Sequence, residues 1–414
     1  MTYLLIDCNQ FFVSCEQLFN PRLKGKPVVV LSCNDGCVVS RSKEAKALGI
    51  PMGAPAYQYA ELFKAKGVHL FSSNFALYAD MSRRVMQTLY TVSPDVEEYS
   101  VDEAFLVAPA EEAPAIQAKI LKWTGIPVSI GIGPTKTLAK VANDLAKKSS
   151  SGILELSEPD AIDAHLAKLL PSEIWGVGSR LNAKLREEKI FTALQLKNAN
   201  EIQIKKRFSV VLLRTVFELR GIPSLSLEEV PEMRKSLTCS RSFGERITEL
   251  SDLEEAVSSF IASSAEKLRR EELLTSSLTV YITTSPFLQP PHYYANALTL
   301  NLVEPTSYTP TLITAAKEAL HRIYRKGFLY KKAGIIFGEI TSSRITQPDL
   351  FGISETQNTQ KKRAMELLDE VNKSYGRGEL RFAAEGFSKR WKGEKKSCSA
   401  GYTTSWSGLL EIKI

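Results

Sequence analysis

Residues 96–105 organise the chain, and their sequence is Val96-Glu97-Glu98-Tyr99-Ser100-Val101-Asp102-Glu103-Ala104-Phe105. The β-branched and aromatic residues predict a strand, a tight turn and a second strand. Asp102 and Glu103 lie at the turn. A separate apolar run, Tyr3-Leu4-Leu5-Ile6, ends at Asp7. If this first strand lies beside the hairpin, three carboxylates meet at one edge of a sheet.

Three carboxylates in close contact raise one another's pKa unless a cation lies among them. Oxygen-only clusters of this kind suit Mg²⁺, which keeps several waters and takes substrate phosphates as its other ligands. The simpler interpretation is that the acids are solvated residues of a polar turn. The presence of Asp7 at the end of a second apolar run favours the metal site.

Composition places the chain among folded soluble proteins. It has 414 residues, 44% hydrophobic and 24% charged, which is enough for about three domains. The net charge of +7 favours a polyanionic partner. The six cysteines lack CxxC spacing and predict reduced thiols. With no signal peptide and no run of ~18 apolar residues, we expect a cytoplasmic protein without a membrane partner.

Strands alternate with helices through the first 148 residues, which predicts an α+β sheet with helices on one face. Residues 135–148 have the apolar spacing of a helix, with Lys136, Lys140 and Lys147 on roughly the opposite stripe. These lysines form either a solvated face or, beside a metal site, a set of cations suited to triphosphate oxygens.

A helical segment with a different character follows. Ile174-Trp175-Gly176-Val177-Gly178 joins two short helical segments, where small residues allow close approach. Free N–H groups at the start of the second helix can hold a phosphate. This predicts a helix-hairpin-helix that grips a nucleic-acid backbone without reading bases. The candidate DNA-binding residues are Gly176, Gly178, Arg180 and Lys184.

The order of elements from about Lys235 to Thr341 is βαββαβ, a split βαβ arrangement. From about Ser342 the sequence is polar and mixed, which is typical of a linker. This tail contains Gln347-Pro348-Asp349-Leu350-Phe351, a short motif with an apolar tip, and a basic run at residues 389–396.

Taken together, these residues resemble the Y-family, or translesion, DNA polymerases along nearly the whole chain. Within that family the sequence is most similar to the UmuC-type catalytic subunit of bacterial DNA polymerase V. The matching stretches are Asp7-Cys8-Asn9-Gln10-Phe11-Phe12, Tyr78-Ala79-Asp80-Met81-Ser82, Tyr99-Ser100-Val101-Asp102-Glu103-Ala104-Phe105, Gly133-Pro134-Thr135-Lys136-Thr137-Leu138-Ala139-Lys140, Trp175-Gly176-Val177-Gly178 and Ser240-Arg241-Ser242-Phe243-Gly244-Glu245-Arg246-Ile247.

The resemblance implies a right-handed α+β multidomain polymerase with a ferredoxin-like palm. The palm would comprise residues 1–30 and 72–170, and small fingers would comprise 31–71. A helical thumb with the helix-hairpin-helix would span 171–234, and a βαββαβ little finger 235–343. Residues 344–414 would form a tail with a clamp-binding motif and a partner region.

The resemblance also implies roles for individual residues. Asp7, Asp102 and Glu103, with the backbone carbonyl of Cys8, would hold two Mg²⁺ ions. Phe12 would be the steric gate that excludes a ribose 2′-OH. Lys43 and Lys46 replace a tyrosine and an arginine that are common in the family, and a lysine cannot make a bidentate fork. The implied nucleotide-binding residues are Phe11, Phe12, Ser40, Lys43, Lys46 and Lys147, and Arg241 joins the DNA-binding set.

The implied activity is error-prone, template-directed DNA synthesis across damaged template in the SOS response, using dNTPs and primer-template DNA near the nucleoid. Gln347, Leu350 and Phe351 would bind a sliding clamp. A processed UmuD-type dimer and a RecA filament are further implied partners. The acidic triad alone would also suit a two-metal nuclease or a nucleotidyl cyclase. A DNA-binding scaffold with degenerate acids is the remaining alternative.

Overall fold

The computed structural model describes residues 2–227, 233–344, 355–376, 378–387, 391–393 and 395–406. The chain forms two compact units, the first from residues 1–231 and 396–414 and the second from residues 232–395. The strands of the first unit are β1 Tyr3–Cys8, β2 Val28–Leu31, β3 Val38–Arg41, β4 His69–Ser72, β5 Val96–Glu98, β6 Glu103–Val107, β7 Val128–Gly133 and β8 Ile153–Glu155.

Eleven helices of the first unit surround these strands in the part of the chain that is described. They are α1 Phe11–Phe19, α2 Lys43–Ala47, α3 Ala60–Ala65, α4 Phe75–Tyr90, α5 Ala113–Thr124, α6 Lys136–Ala146, α7 Pro159–Leu166, α8 Ser179–Glu187, α9 Ala193–Lys197, α10 Glu201–Arg207 and α11 Val210–Leu219. The second unit contains β9 Leu237–Ile247, β10 Leu273–Thr283, β11 Ala295–Thr306 and β12 Tyr330–Ser342, with helices α12 Leu250–Arg270, α13 Thr309–Ile323 and α14 Glu355–Tyr375.

A five-stranded sheet with the order β5-β6-β1-β7-β8 forms the centre of the first unit. β1 pairs with β6 and β7 in antiparallel fashion, and β7 pairs with β8 in parallel. Every residue of β1 is buried, which explains why the run before Asp7 is apolar without alternation. The hairpin predicted at residues 96–105 is present as β5 and β6.

Helices cover both faces of this sheet, so the prediction of helices on one face is wrong. Leu4 and Ile6 belong to the core that includes α4 and α5, whereas Tyr3 and Leu5 pack with Ala139 of α6. Alternate residues of a strand point to opposite faces, and both sets are apolar because both faces are covered. The α6 backbone lies so close that a Cβ on Gly131 would be 2.1 Å from the Ala139 carbonyl oxygen.

Two smaller parts complete the first unit. β2 pairs antiparallel with β3 and parallel with β4, and an apolar core beneath this three-stranded sheet includes α2 and α3 residues. Helices α7 to α11 share a separate core in which Leu185, Leu196 and Leu212 are buried. That core also contains Leu138 and Ala142 of α6, so α6 packs against both the sheet and the helical part.

The second unit is the predicted βαββαβ arrangement. Its antiparallel sheet has the order β11-β10-β12-β9, and α12 and α13 supply buried apolar residues to its core. The tail is not a linker throughout, since α14 is a helix of 21 residues. The carboxylate of Asp369 in α14 accepts two hydrogen bonds of 2.7 Å from Arg269 of α12.

No helix in the described ranges is both long enough and apolar enough to cross a membrane.

Candidate active site

The three acidic residues lie at one edge of the central sheet. Asp7 in β1 is directly opposite Glu103 in β6. One residue further along, the Cys8 N–H donates a 2.8 Å hydrogen bond to the Asp102 carbonyl. Asp7 is 7% exposed, while Asp102 and Glu103 are half-buried. Strand pairing therefore brings together Asp7 and Glu103, which are 96 positions apart, because β1 and β6 are neighbours.

Each acid has a local partner. The Lys147 ammonium is 2.7 Å from the Asp7 carboxylate, and Lys140 lies 3.0 Å from both oxygens of Glu103. The Ser100 hydroxyl donates a 2.6 Å hydrogen bond to Asp102. Among the described residues, no three His, Cys, Asp or Glu side chains are grouped so as to hold a metal ion. The acids are neighbours, and two of the carboxylates, those of Asp7 and Glu103, each pair with a lysine.

Burial raises the pKa of Asp7 to about 7, against the lowering effect of Lys147. The negative charge of Glu103 raises it further. A carboxyl group in this position is poorly stabilised as an anion, and a pKa shifted by burial and a like charge is typical of functional sites. A cation placed between Asp7 and Glu103 would remove the repulsion.

Two aromatic rings surround the Lys140 ammonium, which lies 4.6 Å from the ring centre of Tyr99 and 5.6 Å from that of Trp175. Trp175 also donates a 3.0 Å hydrogen bond to the Tyr99 hydroxyl. Such rings attract cations through their negatively charged faces. The pair therefore holds Lys140 against Glu103. Sequence reasoning missed this arrangement, although Tyr99 and Trp175 were both within recognised motifs.

Phe12, the predicted steric gate, packs against another aromatic ring. Phe12 is half-buried and stacks on Tyr78, with ring centres 4.5 Å apart and planes at 13°. Its neighbour Phe11 is only 3% exposed and packs in the core, which argues against direct nucleotide contact. Cys8 is also buried, with 2% of the residue exposed.

The residues predicted to bind the triphosphate lie in different environments, some buried and some exposed. Ser40 is 7% exposed, and its hydroxyl lies 3.4 Å from both the Val13 nitrogen and the Gln10 carbonyl. Its hydrogen bonds therefore hold the start of α1. Lys43 and Lys46 are exposed on α2. Lys147 follows α6 at the acidic edge, with 37% of its side chain exposed.

The predicted helix-hairpin-helix has one full helix. A single 3₁₀ turn, Pro171–Glu173, takes the place of a first helical segment, and α8 follows. Gly176 has a φ of +85°, and Gly178 is the residue before α8. Arg180 and Lys184 are exposed on α8. In the second unit, Arg241 is exposed on the edge strand β9.

The clamp-binding motif, with Gln347, Leu350 and Phe351, lies outside the described residues.

Solved structures define the class of this fold. A chimera of the Y-family DNA polymerases Dbh and Dpo4 matches with a TM-score of 0.67 and 22% identity, over 83% of this chain and 100% of that chain. DinB from Sulfolobus solfataricus matches with a TM-score of 0.51 and 22% identity, over 82% and 98%. The fold is that of a Y-family DNA polymerase, as predicted.

Family comparisons make the assignment more specific. A model of the impB/mucB/samB family matches residues 6–144, and its C-terminal domain matches 234–350. UmuC of Salmonella typhimurium is 43% identical over 99% of this chain and all of that protein. MucB of Escherichia coli is 37% identical, covering 98% of each chain. The chain belongs to the impB/mucB/samB family, which confirms the predicted UmuC-type resemblance.

A third family model, a domain of unknown function named DUF4113, matches residues 362–412. Fold and family together identify the chain as a member of the impB/mucB/samB family with the fold of a Y-family DNA polymerase.

Proposed function

We propose that this chain extends a primer across damaged template by transferring a nucleotide from a dNTP to the primer 3′-OH. The observation that carries this proposal is the register that sets Asp7 opposite Glu103, with Asp102 held beside Cys8. Those three acids form an oxygen-rich edge next to a lysine and a supported aromatic ring. In the reaction the 3′-OH attacks the α-phosphate in line, and pyrophosphate leaves.

The chemistry of the donor set suits Mg²⁺, although the described side chains are not grouped as a metal site in this structure. Carboxylate and carbonyl oxygens are the ligands that Mg²⁺ prefers, and here they would come from Asp7, Asp102, Glu103 and the Cys8 carbonyl. The raised pKa of Asp7 supports the fit, because burial and the Glu103 charge both oppose its ionisation. Bound Mg²⁺ would lower the pKa of the primer hydroxyl and neutralise the departing phosphates.

Lysines supply the remaining positive charge. Lys147 is partly exposed at the acidic edge, so its ammonium can reach triphosphate oxygens as well as Asp7. Lys140 is held by Tyr99 and Trp175, and its ammonium balances the negative charge of Glu103. We assign Lys147 to nucleotide binding and Lys140 to positioning Glu103. Lys43 and Lys46 on α2 would contact phosphate oxygens as point charges, since a lysine cannot make a bidentate contact.

Sugar selection is assigned to Phe12. Its ring is backed by Tyr78 and therefore cannot retreat from a 2′-OH without breaking the stack. Discrimination against ribonucleotides then comes from a steric clash, because side chains in a closely packed interior cannot easily move aside. Phe11 and Ser40 would act indirectly, by fixing α1.

We propose that the DNA backbone is held by Gly176, Gly178, Arg180 and Lys184 in the first unit and by Arg241 in the second. The ranges 1–30 with 72–170, 31–71, 171–234 and 235–343 are proposed as palm, fingers, thumb and little finger. Phosphate contacts from exposed lysines and arginines would fix register without reading sequence.

The proposed partners follow from the family resemblance. Gln347, Leu350 and Phe351 would bind a sliding clamp, and the tail would meet a processed UmuD-type dimer. A RecA filament would assist synthesis in the SOS response, in the cytoplasm at the nucleoid. Adding clamp and filament to purified chain on damaged template would test these partners, and unchanged synthesis would contradict them.

The direct test is Mg²⁺-dependent extension of a primer opposite an abasic site. Asp102→Asn should reduce nucleotide addition by about 10³-fold or more, as expected when charge stabilisation is lost, and leave primer-template affinity nearly unchanged. Glu98→Gln is the matched control, since Glu98 is an exposed acid of the same hairpin beside Tyr90. Near wild-type addition by Asp102→Asn would refute the assignment.

A further inference from the structure

The C-terminal segment 396–402 packs against the N-terminal part of the first unit. The Ser72 N–H donates a 2.9 Å hydrogen bond to the Ser397 carbonyl, and the Ser397 N–H donates to the Ser72 hydroxyl at 3.1 Å. A parallel bridge joins Ser72 to Cys398. The Lys396 N–H donates a 3.0 Å hydrogen bond to Asp35. This segment lies within the domain of unknown function, for which no role has been assigned.

Two stretches of the first unit hold the segment beyond these main-chain contacts. The amide of Asn74 donates hydrogen bonds of 3.0 Å to the Ser399 hydroxyl and 3.1 Å to the Ala400 carbonyl. The same side chain caps α4, because its oxygen accepts from the Leu77 N–H. On α1, the ring of Phe19 stacks on Tyr402 with 4.8 Å between centres.

Ser399 also reaches a buried acid. Its hydroxyl lies 3.0 Å from Glu16 Oε1, and the Tyr78 hydroxyl donates to the same oxygen at 2.7 Å. Glu16 and Tyr78 are each 1% exposed. Burial raises the pKa of Glu16, and the hydrogen bonds from Tyr78 and Ser399 oppose that rise. The segment therefore helps to satisfy an acid that the interior would otherwise leave poorly solvated.

The acid connects the segment to the steric gate. Glu16 fixes the Tyr78 hydroxyl, and the Tyr78 ring stacks on Phe12. Phe75, in the turn of α4 that Asn74 caps, meets both rings edge-on at 6.1 and 6.3 Å. Phe12 and Tyr78 belong to α1 and α4, the same two helices that the C-terminal segment holds.

We propose that segment 396–402 is an intramolecular clasp that positions Phe12 through Glu16 and Tyr78 and so sets the stringency of sugar selection. This proposal rests on the proposed role of Phe12 as the steric gate. The positioning residue is Ser399, which touches neither substrate nor reacting atoms. Without its hydroxyl, Glu16 and the Asn74 amide each lose a partner, and the Tyr78 ring gains freedom to move away from Phe12.

The test compares full-length variants in single-nucleotide addition on undamaged template. Ser399→Ala should lower the ratio of kcat/KM for dNTP to kcat/KM for the matching rNTP by about tenfold, the effect of losing one ordinary hydrogen bond to a buried group. Ser399→Thr keeps a hydroxyl and should restore the ratio. Ser397→Ala is the matched control, because Ser397 meets Ser72 through main-chain atoms.

Two further measurements separate the clasp from the gate. Phe12→Ala should admit ribonucleotides, and adding Ser399→Ala to it should cause no further loss of selectivity. An additional loss would overturn the route through Phe12, and so would wild-type selectivity in Ser399→Ala alone. If Phe12→Ala leaves selectivity unchanged, the gate assignment fails. Hydrogen exchange then decides the clasp: faster exchange of amides 75–79 in Ser399→Ala supports it, and unchanged exchange overturns it.

Discussion

Lys136 begins α6 and Lys147 follows its last residue, yet their surroundings are opposite. Lys136 has 3% of its side chain exposed, pairs with the buried Glu97 and donates a 2.6 Å hydrogen bond to the Ser226 carbonyl. Lys147 has 37% of its side chain exposed and pairs with Asp7. The buried lysine ties α6 to its neighbours, whereas the exposed one can exchange its partner for a ligand.

One stripe of like residues can thus contain both a lysine buried in a structural ion pair and a lysine exposed enough to bind a ligand. A substitution at Lys136 should therefore change stability first, and a substitution at Lys147 should change activity first.

The largest expected effect is at the buried pair. Lys136→Met should lower the free energy of unfolding by about 3–5 kcal/mol, because it leaves Glu97 buried without its cation. Denaturant unfolding measures this change. The double variant Lys136→Met/Glu97→Gln should recover a large part of the loss, since no uncompensated charge remains. A cost below about 1 kcal/mol for the single variant would contradict a structural role.

The next effect concerns pH and Asp7. Its folded-state pKa of about 7 exceeds the ordinary value of 3.8, so the folded state binds more protons between these values. The stabilisation is thus complete below about pH 4 and is lost as the pH rises to about 7, amounting to at most ~4 kcal/mol. Unfolding in metal-free buffer should show this loss in wild type and not in Asp7→Asn. The same dependence of unfolding free energy on pH in wild type and in Asp7→Asn would contradict this prediction.

The smallest of the three effects is at Lys147. Lys147→Ala should reduce kcat/KM for dNTP by about 100-fold, equal to ~2.7 kcal/mol of transition-state stabilisation. The unfolding free energy should change by less than about 1 kcal/mol, because Asp7 can take up a proton instead. Lys148→Ala is the control, since Lys148 is an exposed lysine of the same turn. Equal losses in both variants would mean a general effect of charge.

Local patterns predicted most of the fold. The strand formers around Asp102 and the apolar run before Asp7 specified β5, β6 and β1, and alternation of elements predicted the βαββαβ unit. The second covered face of the sheet was missed, although Tyr3 and Leu5 are apolar on that side. The backbone approach at Gly131 depends on tertiary packing, and an isolated glycine in a strand does not reveal its partner.

The candidate site was predicted less completely than the fold. Strand register explains why Asp7 and Glu103 meet, but the pairing of Lys140 with Tyr99 and Trp175 needs three segments brought together by folding. Glu16 gave no signal, because a single acid in an amphipathic helix is usually solvated. Ser399 lies in a tail whose composition favoured a linker. Its contact with Glu16 joins residues 383 positions apart, which no local sequence pattern can predict.

Binding of divalent cations by Asp7, Asp102 and Glu103 together is the assignment on which the proposed function depends. The most direct test is Mn²⁺ stoichiometry, by electron paramagnetic resonance, in a complex with dideoxy-terminated primer-template and the next dNTP. Wild type should bind two ions, and both Asp7→Asn and Asp102→Asn should lose at least one or bind about 100-fold more weakly. Two tightly bound ions in both variants would contradict the site.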